Sequence, residues 1–361
     1  MNHAWKRLRA EGVDVWLDVS VTVEGAAREV RRALAQGEVA GVRMAGPQAR
    51  SAAGTARTAP TEPAGPTEST GLTDEIRRVC DTLLPRYWAS GGAKGLVSVP
   101  LPAPPAPEAV TWVARARALR EGIDRPNLVV RLPAEAADTA TLRALCVLDI
   151  AVEVSGVRSP RQYGRAATAL LAALDESTRS ASFISFDVTG IEGDVDARLD
   201  LIGSDEAKAL RGRAGLACAR LAHRTHEMTF ASARWGALAA AGTPEPKPLW
   251  VTGTASPSRA AHAVQELVTR GTAAAMTPAA AHVLAESGTV SGDRVWRHYA
   301  DAERTLAYLD WFGVPVESLA ARPPQVPAAA KTLLPPARTH RTAPAGTTAY
   351  HPGTRRSLAP A

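Results

Sequence analysis

The strongest constraint in this sequence is a strict alternation of short apolar runs with helical patterns, repeated eight times. Val13–Val19 (VDVWLDV), Val39–Met44, Gly95–Leu101, Leu128–Pro133 and Leu148–Val154 read as strands. Ser182–Val188, Pro248–Thr254 and Thr272–Thr277 continue the series, the last being Ala-rich and weakly patterned. Most runs are short and rich in β-branched residues, as parallel strands buried on both faces should be. Helical patterns fill the gaps at Val23–Ala35, Thr73–Ala89, Glu108–Glu121, Asp138–Cys146, Pro160–Asp175, Glu206–Ala240, Ser258–Arg270 and Pro278–Glu286. Thr73, with Asp74 and Glu75 behind it, suits a helix N-cap with acids in the first turn. Eight strand–helix units in strict alternation predict an α/β fold, a closed (β/α)8 TIM barrel rather than an open sheet. A further helical segment, Gly292 to Phe312, is expected to pack outside it.

The 361 residues allow either two domains of about 150 residues or one barrel of about 250 with additions. The alternation selects a single barrel domain over residues 1–320. Two stretches fall outside the pattern. Residues 46–72 (Gly46 to Gly71 at the core of the stretch) are rich in Ala, Gly, Thr and Pro, and read as a low-complexity loop. Residues 321–361 hold eight Pro and read as a disordered tail, because neither stretch can bury enough apolar surface to offset its ordering entropy. Hydrophobic residues at 45% and charged residues at 22% exclude a wholly disordered or collagen-like chain. No apolar run approaches the roughly 18 residues that span a bilayer.

Charge is distributed unevenly. The chain carries 42 Lys and Arg against 36 Asp and Glu, a surplus of six. The tail accounts for all of it through Arg322, Lys331, Arg338, Arg341, Arg355 and Arg356, so the barrel region is formally neutral. A general basic groove for nucleic acid is therefore not expected. Cys80, Cys146 and Cys218 are far apart and form no CxxC spacing, which indicates neither a disulfide framework nor a thiolate zinc site. The N-terminus lacks the apolar segment of a signal peptide. A cytoplasmic protein is the expectation. The sequence says nothing of oligomeric state.

Reactive groups of such a barrel sit at the C-terminal ends of the strands. Polar residues there are Asp18, Arg43, Arg131, Glu153, Ser185, Asp187, Thr252 and Thr254. Charge inside a barrel is expensive unless paired, and three acids with two arginines can pair mutually. A purely structural ion-pair network and a functional constellation both fit. Arg43 taken alone reads as a loop-end surface charge. His223 and His226 share a helix face, but HRTHE is not the HExxH of a zinc site and no third ligand follows at a recognisable spacing; an exposed helix face is expected. The eight Trp residues are scattered and read as packing.

Several segments, in order, resemble transaldolase of the bacterial pentose phosphate pathway. They are Trp16-Leu-Asp, Thr73 to Lys94 (TDEIRRVCDTLLPRYWASGGAK), Asp124-Arg-Pro-Asn-Leu-Val-Val and Asp194-Val-Asp-Ala-Arg-Leu-Asp. Ala209-Leu-Arg-Gly-Arg-Ala-Gly-Leu-Ala, Arg234-Trp-Gly-Ala-Leu and Pro248-Leu-Trp complete the set. The resemblance implies the same barrel and the transfer of a dihydroxyacetone unit between sugar phosphates, with no metal and no organic cofactor. It implies a strand 4 Lys that forms a Schiff base, whose protonated imine stabilises the carbanion left by carbon–carbon cleavage. A strand 1 Asp and a strand 3 Glu would move protons.

Carried over residue by residue, little of that machinery is kept. Asp18 matches the strand 1 acid and Ser185 the strand 6 Ser, while Ser155 stands for the strand 5 Thr. The strand 4 pattern Asn-Leu-x-x-Lys-x-Pro is Asn127-Leu-Val-Val-Arg131-Leu-Pro133, so Arg131 replaces the Schiff-base Lys. The strand 3 Glu falls at Pro100, the strand 5 Asn at Glu153 and the strand 6 phosphate Arg at about Gly190. The Asn-Pro-Thr turn after strand 2 is Ala45-Gly46-Pro47-Gln48, with the helix expected after it eroded into the low-complexity loop.

A guanidinium stays protonated and forms no imine. Asp18, Arg131, Glu153 and Ser155 are thus the catalytic positions, and Arg43, Ser185, Asp187 and Thr252 the substrate-binding positions, of a member with impaired or absent catalysis. The alternatives are an active transaldolase using a relocated Lys, or a non-catalytic barrel that binds a sugar phosphate. Arg131 is expected either to pair with Asp18 or Glu153, or to grip a small anion together with Arg43. Deleting residues 322–361 is expected to leave the barrel's melting temperature unchanged within about 1 °C in calorimetry; a large drop would show that the tail packs.

Overall fold

The computed structural model describes residues 3–19, 25–44, 66–102, 108–253 and 255–321. Residues 45–65 of the low-complexity loop, Thr254 and the tail from Arg322 onward lie outside them. A first helix α1 (His3–Ala10) precedes β1 (Val13–Val19). Then follow α2 (Ala26–Gln36), β2 (Gly41–Met44), α3 (Pro66–Ala89), β3 (Leu96–Pro100), α4 (Ala109–Ile123) and β4 (Leu128–Pro133). The second half runs α5 (Thr139–Val147), β5 (Ala151–Val157), α6 (Pro160–Ala173), β6 (Ser182–Asp187), α7 (Val188–Ile202), α8 (Asp205–Lys208), α9 (Ala214–Phe230) and α10 (Ala233–Ala240). It closes with β7 (Lys247–Val251), α11 (Pro257–Glu266), β8 (Thr272–Met276), α12 (Pro278–Ser287), α13 (Tyr299–Trp311) and α14 (Val316–Ala320).

The eight strands pair in parallel in chain order, and β8 returns to β1 to close the barrel. All eight expected strands are present. β5 begins later than its apolar run because Leu148 and Asp149 make the turn, with Asp149 at φ 50°. Local chemistry starts the helices where hydroxyl or carboxylate caps occur. Asp138, Ser159, Ser232, Ser256 and Thr277 each accept a backbone N–H of the first turn. Proline follows the cap in α6, α11 and α12, where its missing N–H is not needed.

Three expectations need correction. The segment Glu206–Ala240 is three helices, not one: Gly212, at φ 73°, breaks the run before α9, and Ser232 restarts it as the cap of α10. Helix α7 follows β6 directly, over a stretch that the helical patterns above do not include. Helix α3 begins at Pro66, so residues 66–71 are helical rather than part of a structureless loop. Pro66 supplies a preset φ for a helix start, and the well-patterned segment behind it propagates back to that point.

Apolar side chains separate into two kinds of core. Large clusters lie between the strands and the surrounding helices. A smaller one fills the barrel itself, built from Trp16, Leu96, Val129, Phe183, Leu249, Ala273 and Ala275. Trp16 is 1% exposed and meets Phe183 edge-on, ring centroids 4.9 Å apart. Its neighbours in register are Gly41 on β2 and Ala275 on β8, both small. The Ala-rich β8, a poor strand by propensity, is thereby explained: its short side chains leave room for an indole inside the barrel. Trp5, Trp112, Trp235 and Trp250 are also buried, whereas Trp88, Trp296 and Trp311 are exposed. A Cβ at Gly41 would sit 2.3 Å from the Trp16 ring. Gly41→Ala is therefore expected to overpack the barrel and destabilise it by about 1–3 kcal/mol, read as a lower urea midpoint; an unchanged midpoint would show that the indole can shift.

Candidate functional site

Beyond the Trp16 layer, toward the C-terminal strand ends, the inward positions become polar. Strand register sets Asp18 of β1 beside Arg43 of β2, Arg43 beside Ser98 of β3, and Arg131 of β4 beside Glu153 of β5. All five are buried, Glu153 and Ser98 completely.

Arg43 is the centre of this layer. Its Nη1 donates to Asp18 Oδ2 at 2.8 Å, and its Nε and Nη2 reach Glu153 Oε1 at 3.0 and 2.9 Å. The expectation of a surface charge at Arg43 is overturned, since the side chain is 7% exposed and holds two carboxylates from different strands. Ser98 donates its hydroxyl to the second oxygen of Glu153. Burial alone would push the Glu153 carboxyl up. The charges of Arg43 and Arg131, with the hydrogen bonds from Ser98 and Arg43, outweigh that and hold it at about 2. Burial likewise opposes the Arg43 charge, but Glu153 and Asp18 more than compensate and raise its pKa.

Arg131 behaves differently. It makes no ion pair with any carboxylate among the described residues, so its expected pairing with Asp18 or Glu153 is overturned. Arg43 has taken both acids. The Arg131 Nη2 instead donates to the backbone carbonyl of Met44, the last residue of β2. Its Nε is buried without a hydrogen-bond partner among the described residues. Burial and the neighbouring Arg43 charge lower its pKa to about 10 against the partial support of Glu153 and Asp18. It remains a cation at neutral pH. All three guanidinium nitrogens of Arg43 already meet carboxylates, which counts against a shared grip of Arg43 and Arg131 on one anion.

The remaining expected residues bear mostly on the scaffold. Ser155 donates to Leu132 O at 3.2 Å, Ser185 to Val154 O at 3.2 Å and Thr252 to Ala275 O at 3.1 Å, each joining neighbouring strands. Asp187 caps α7 by accepting the Gly190 N–H at 2.9 Å, and burial raises its carboxyl pKa despite that bond and the charges of Arg158 and Arg43. A Cβ at Gly190 would lie 2.0 Å from that carboxylate, so a side chain at 190 and this cap exclude each other.

The described lysines lie elsewhere. Lys247 Nζ is 2.7 Å from Asp14, and Lys94 Nζ is 3.0 Å from Glu38, all at the N-terminal end of the barrel. Lys6 on α1 and Lys208 on α8 are exposed. His223 and His226 are buried rather than on an exposed face: their Nδ1 atoms lie 2.9 Å from the Tyr299 hydroxyl and 3.1 Å from the Tyr163 hydroxyl. No cluster of three metal-ligating side chains occurs among the described residues.

Two participants escaped the sequence reading. Ser98 stands two residues before Pro100 on the same inward face of an apolar strand, so period-two alternation could have found it. The Met44 carbonyl carries no side-chain signal at all.

A family model described as transaldolase/fructose-6-phosphate aldolase matches residues 69–322. The transaldolase of Frankia alni (strain DSM 45986 / CECT 9034 / ACN14a) is 36% identical over 254 residues, covering 68% of each chain. That of Parafrankia sp. (strain EAN1pec) is 36% identical over 249 residues, 66% of this chain and 68% of the relative. That of Thermobifida fusca (strain YX) is 37% identical over 249 residues, with the same two shares. The match thus spans about two thirds of these relatives' length.

Arg43→Met would leave Asp18 and Glu153 buried without their shared cation, a loss of about 3–5 kcal/mol near pH 7. The Glu153 pKa is depressed in the fold, so its contribution is present above the unfolded value near 4.5 and disappears as pH falls toward about 2. The gap between variant and wild type should narrow on acidification, as seen in urea midpoints near pH 7 and pH 4. A gap independent of pH would show that Arg43 acts by packing alone.

Proposed function

The chain belongs to the transaldolase/fructose-6-phosphate aldolase family, and on that premise we propose a transaldolase-type barrel, acting in the cytoplasm, that no longer performs dihydroxyacetone transfer. The observation that carries this reading is the Arg131 guanidinium at the position where the family resemblance calls for the Schiff-base Lys. Imine formation needs a neutral amine to attack the ketone carbonyl and then to lose water. A guanidinium with a pKa of about 10 offers no such lone pair, because its electrons are delocalised over three nitrogens.

The surrounding groups support the same reading. Asp18, the matching strand 1 acid, is bound to Arg43 and is not free to take a substrate proton without breaking a buried ion pair. Pro100 offers no proton-transfer group where the family has an acid. Glu153 is held ionised by Arg43 and Ser98, which suits a structural anchor better than an acid poised near neutrality. At the position of the phosphate-gripping Arg stand Gly190 and the Asp187 carboxylate, a repulsive neighbour for a phosphate. Among the described lysines, none projects into this layer, which counts against a relocated Schiff base.

The test is borohydride reduction in the presence of fructose 6-phosphate, read by intact mass and peptide mapping. No adduct is expected on this chain, beside an authentic transaldolase that labels fully in parallel. An adduct on any Lys would establish a relocated imine and a live enzyme.

A further inference from the structure

Two guanidinium groups enter the polar layer of the barrel, and they are matched unequally. Arg43 touches two carboxylates, which gives that trio a surplus negative charge. Arg131 is 8% exposed and touches none. Of its five N–H groups, those on Nη2 alone meet a protein acceptor among the described residues, the Met44 carbonyl. The neighbouring hydroxyls do not relieve it: among the described residues no hydrogen bond joins Arg131 to Ser155, Ser185 or Thr252, whose own protons go to backbone carbonyls.

A desolvated cation with open donors is unfavourable unless an anion completes it. The repulsion from Arg43 adds to that, and the favourable field of Glu153 and Asp18 acts without contact. The side chain also stands in a defined place. Its reach from β4 to the end of β2 lays the guanidinium across the strand end of β3, at the C-terminal mouth where barrels of this type hold ligands.

We propose that Arg131 is a binding site for the carboxylate of a small organic acid, taken up non-covalently where relatives of this chain would form an imine. This rests on the reading above that no imine chemistry runs here. The planar two-oxygen edge of a carboxylate matches the parallel N–H pairs of a guanidinium. A single negative charge also suits the surroundings. The Asp18–Arg43–Glu153 trio is net negative, and Asp187 caps the neighbouring helix α7, so a doubly charged phosphate would meet more repulsion than a monoanion. Ser155, half-buried one inward position beyond Glu153 on β5, keeps lone pairs that can accept from a hydroxyl on the ligand.

The experiment uses the full chain and two probes, glycolate and inorganic phosphate, each against sodium chloride at the same ionic strength to remove general screening. Glycolate is expected to raise the melting temperature saturably, by about 5 °C at a hundredfold excess over its Kd, with phosphate giving a smaller shift. Arg131→Met is expected to abolish the glycolate shift while melting no lower than wild type without ligand, since it removes an unmatched buried charge. If that variant does not fold, the wild-type Arg131 Nε–H resonance, assigned by comparison with Arg131→Lys, provides the readout: it is expected to move on glycolate addition and not on chloride. Equal shifts in wild type and Arg131→Met, or an unmoved Nε–H signal, would overturn the site. A larger shift with phosphate than with glycolate would overturn the carboxylate assignment. A borohydride adduct would overturn the underlying reading instead, so the two failures are distinguishable.

Discussion

The Arg43 guanidinium, held between Asp18 and Glu153 inside a closed barrel, is the interaction around which the polar end of this molecule is arranged. Three charges in a water-poor interior are tolerable only together. Burial alone would raise the Glu153 carboxyl and lower the Arg43 guanidinium. Because the partners come from β1, β2 and β5, the trio spans the barrel rather than decorating one edge of it. Ser98 extends it to β3 through the remaining Glu153 oxygen.

That arrangement accounts for the neighbouring substitutions as a set. A Glu at position 153, where the resemblance places an Asn, is affordable because Arg43 faces it. Once both acids are bound there, Arg131 cannot share them, and it turns to a backbone carbonyl instead. Asp187 and Gly190 form a second matched pair, since the carboxylate that caps α7 occupies the space a side chain at 190 would need. Among the described residues the polar layer is thus an ion-pair network in which Arg43 holds both acids and Arg131 meets none.

Beneath it, Trp16 and Phe183 close the barrel against small neighbours. This packed floor separates the polar layer from the opposite end, where Asp14 and Glu38 engage Lys247 and Lys94. Lys94 and Lys247 are thus kept at the opposite end of the strands from Arg131 by topology, because Lys94 precedes β3 and Lys247 begins β7 while Arg131 lies late in β4.

How much of this was legible beforehand follows from what each level of structure depends on. Strand–helix alternation is a local property, and closure into eight parallel strands follows from it, so the fold class and the strand positions could be read from apolar runs and caps. The family was legible because ordered segments such as Asp124 to Val130 agree along the chain, and the replacement of Lys by Arg131 was visible as a single letter. The short run of helix at 66–71 was not, because its composition is that of a loop and only propagation from the segment behind it makes it helical. The partner of each charge was not legible either. Asp18, Arg43, Arg131 and Glu153 are four inward letters in four strands, and their sequence positions permit several pairings. Closing the barrel fixed stagger and register, put one guanidinium within reach of both carboxylates, and left the other facing a backbone oxygen. Hydrogen-bond distances of about 3 Å decide between those pairings, and such distances between strands more than a hundred residues apart exist only in the folded molecule.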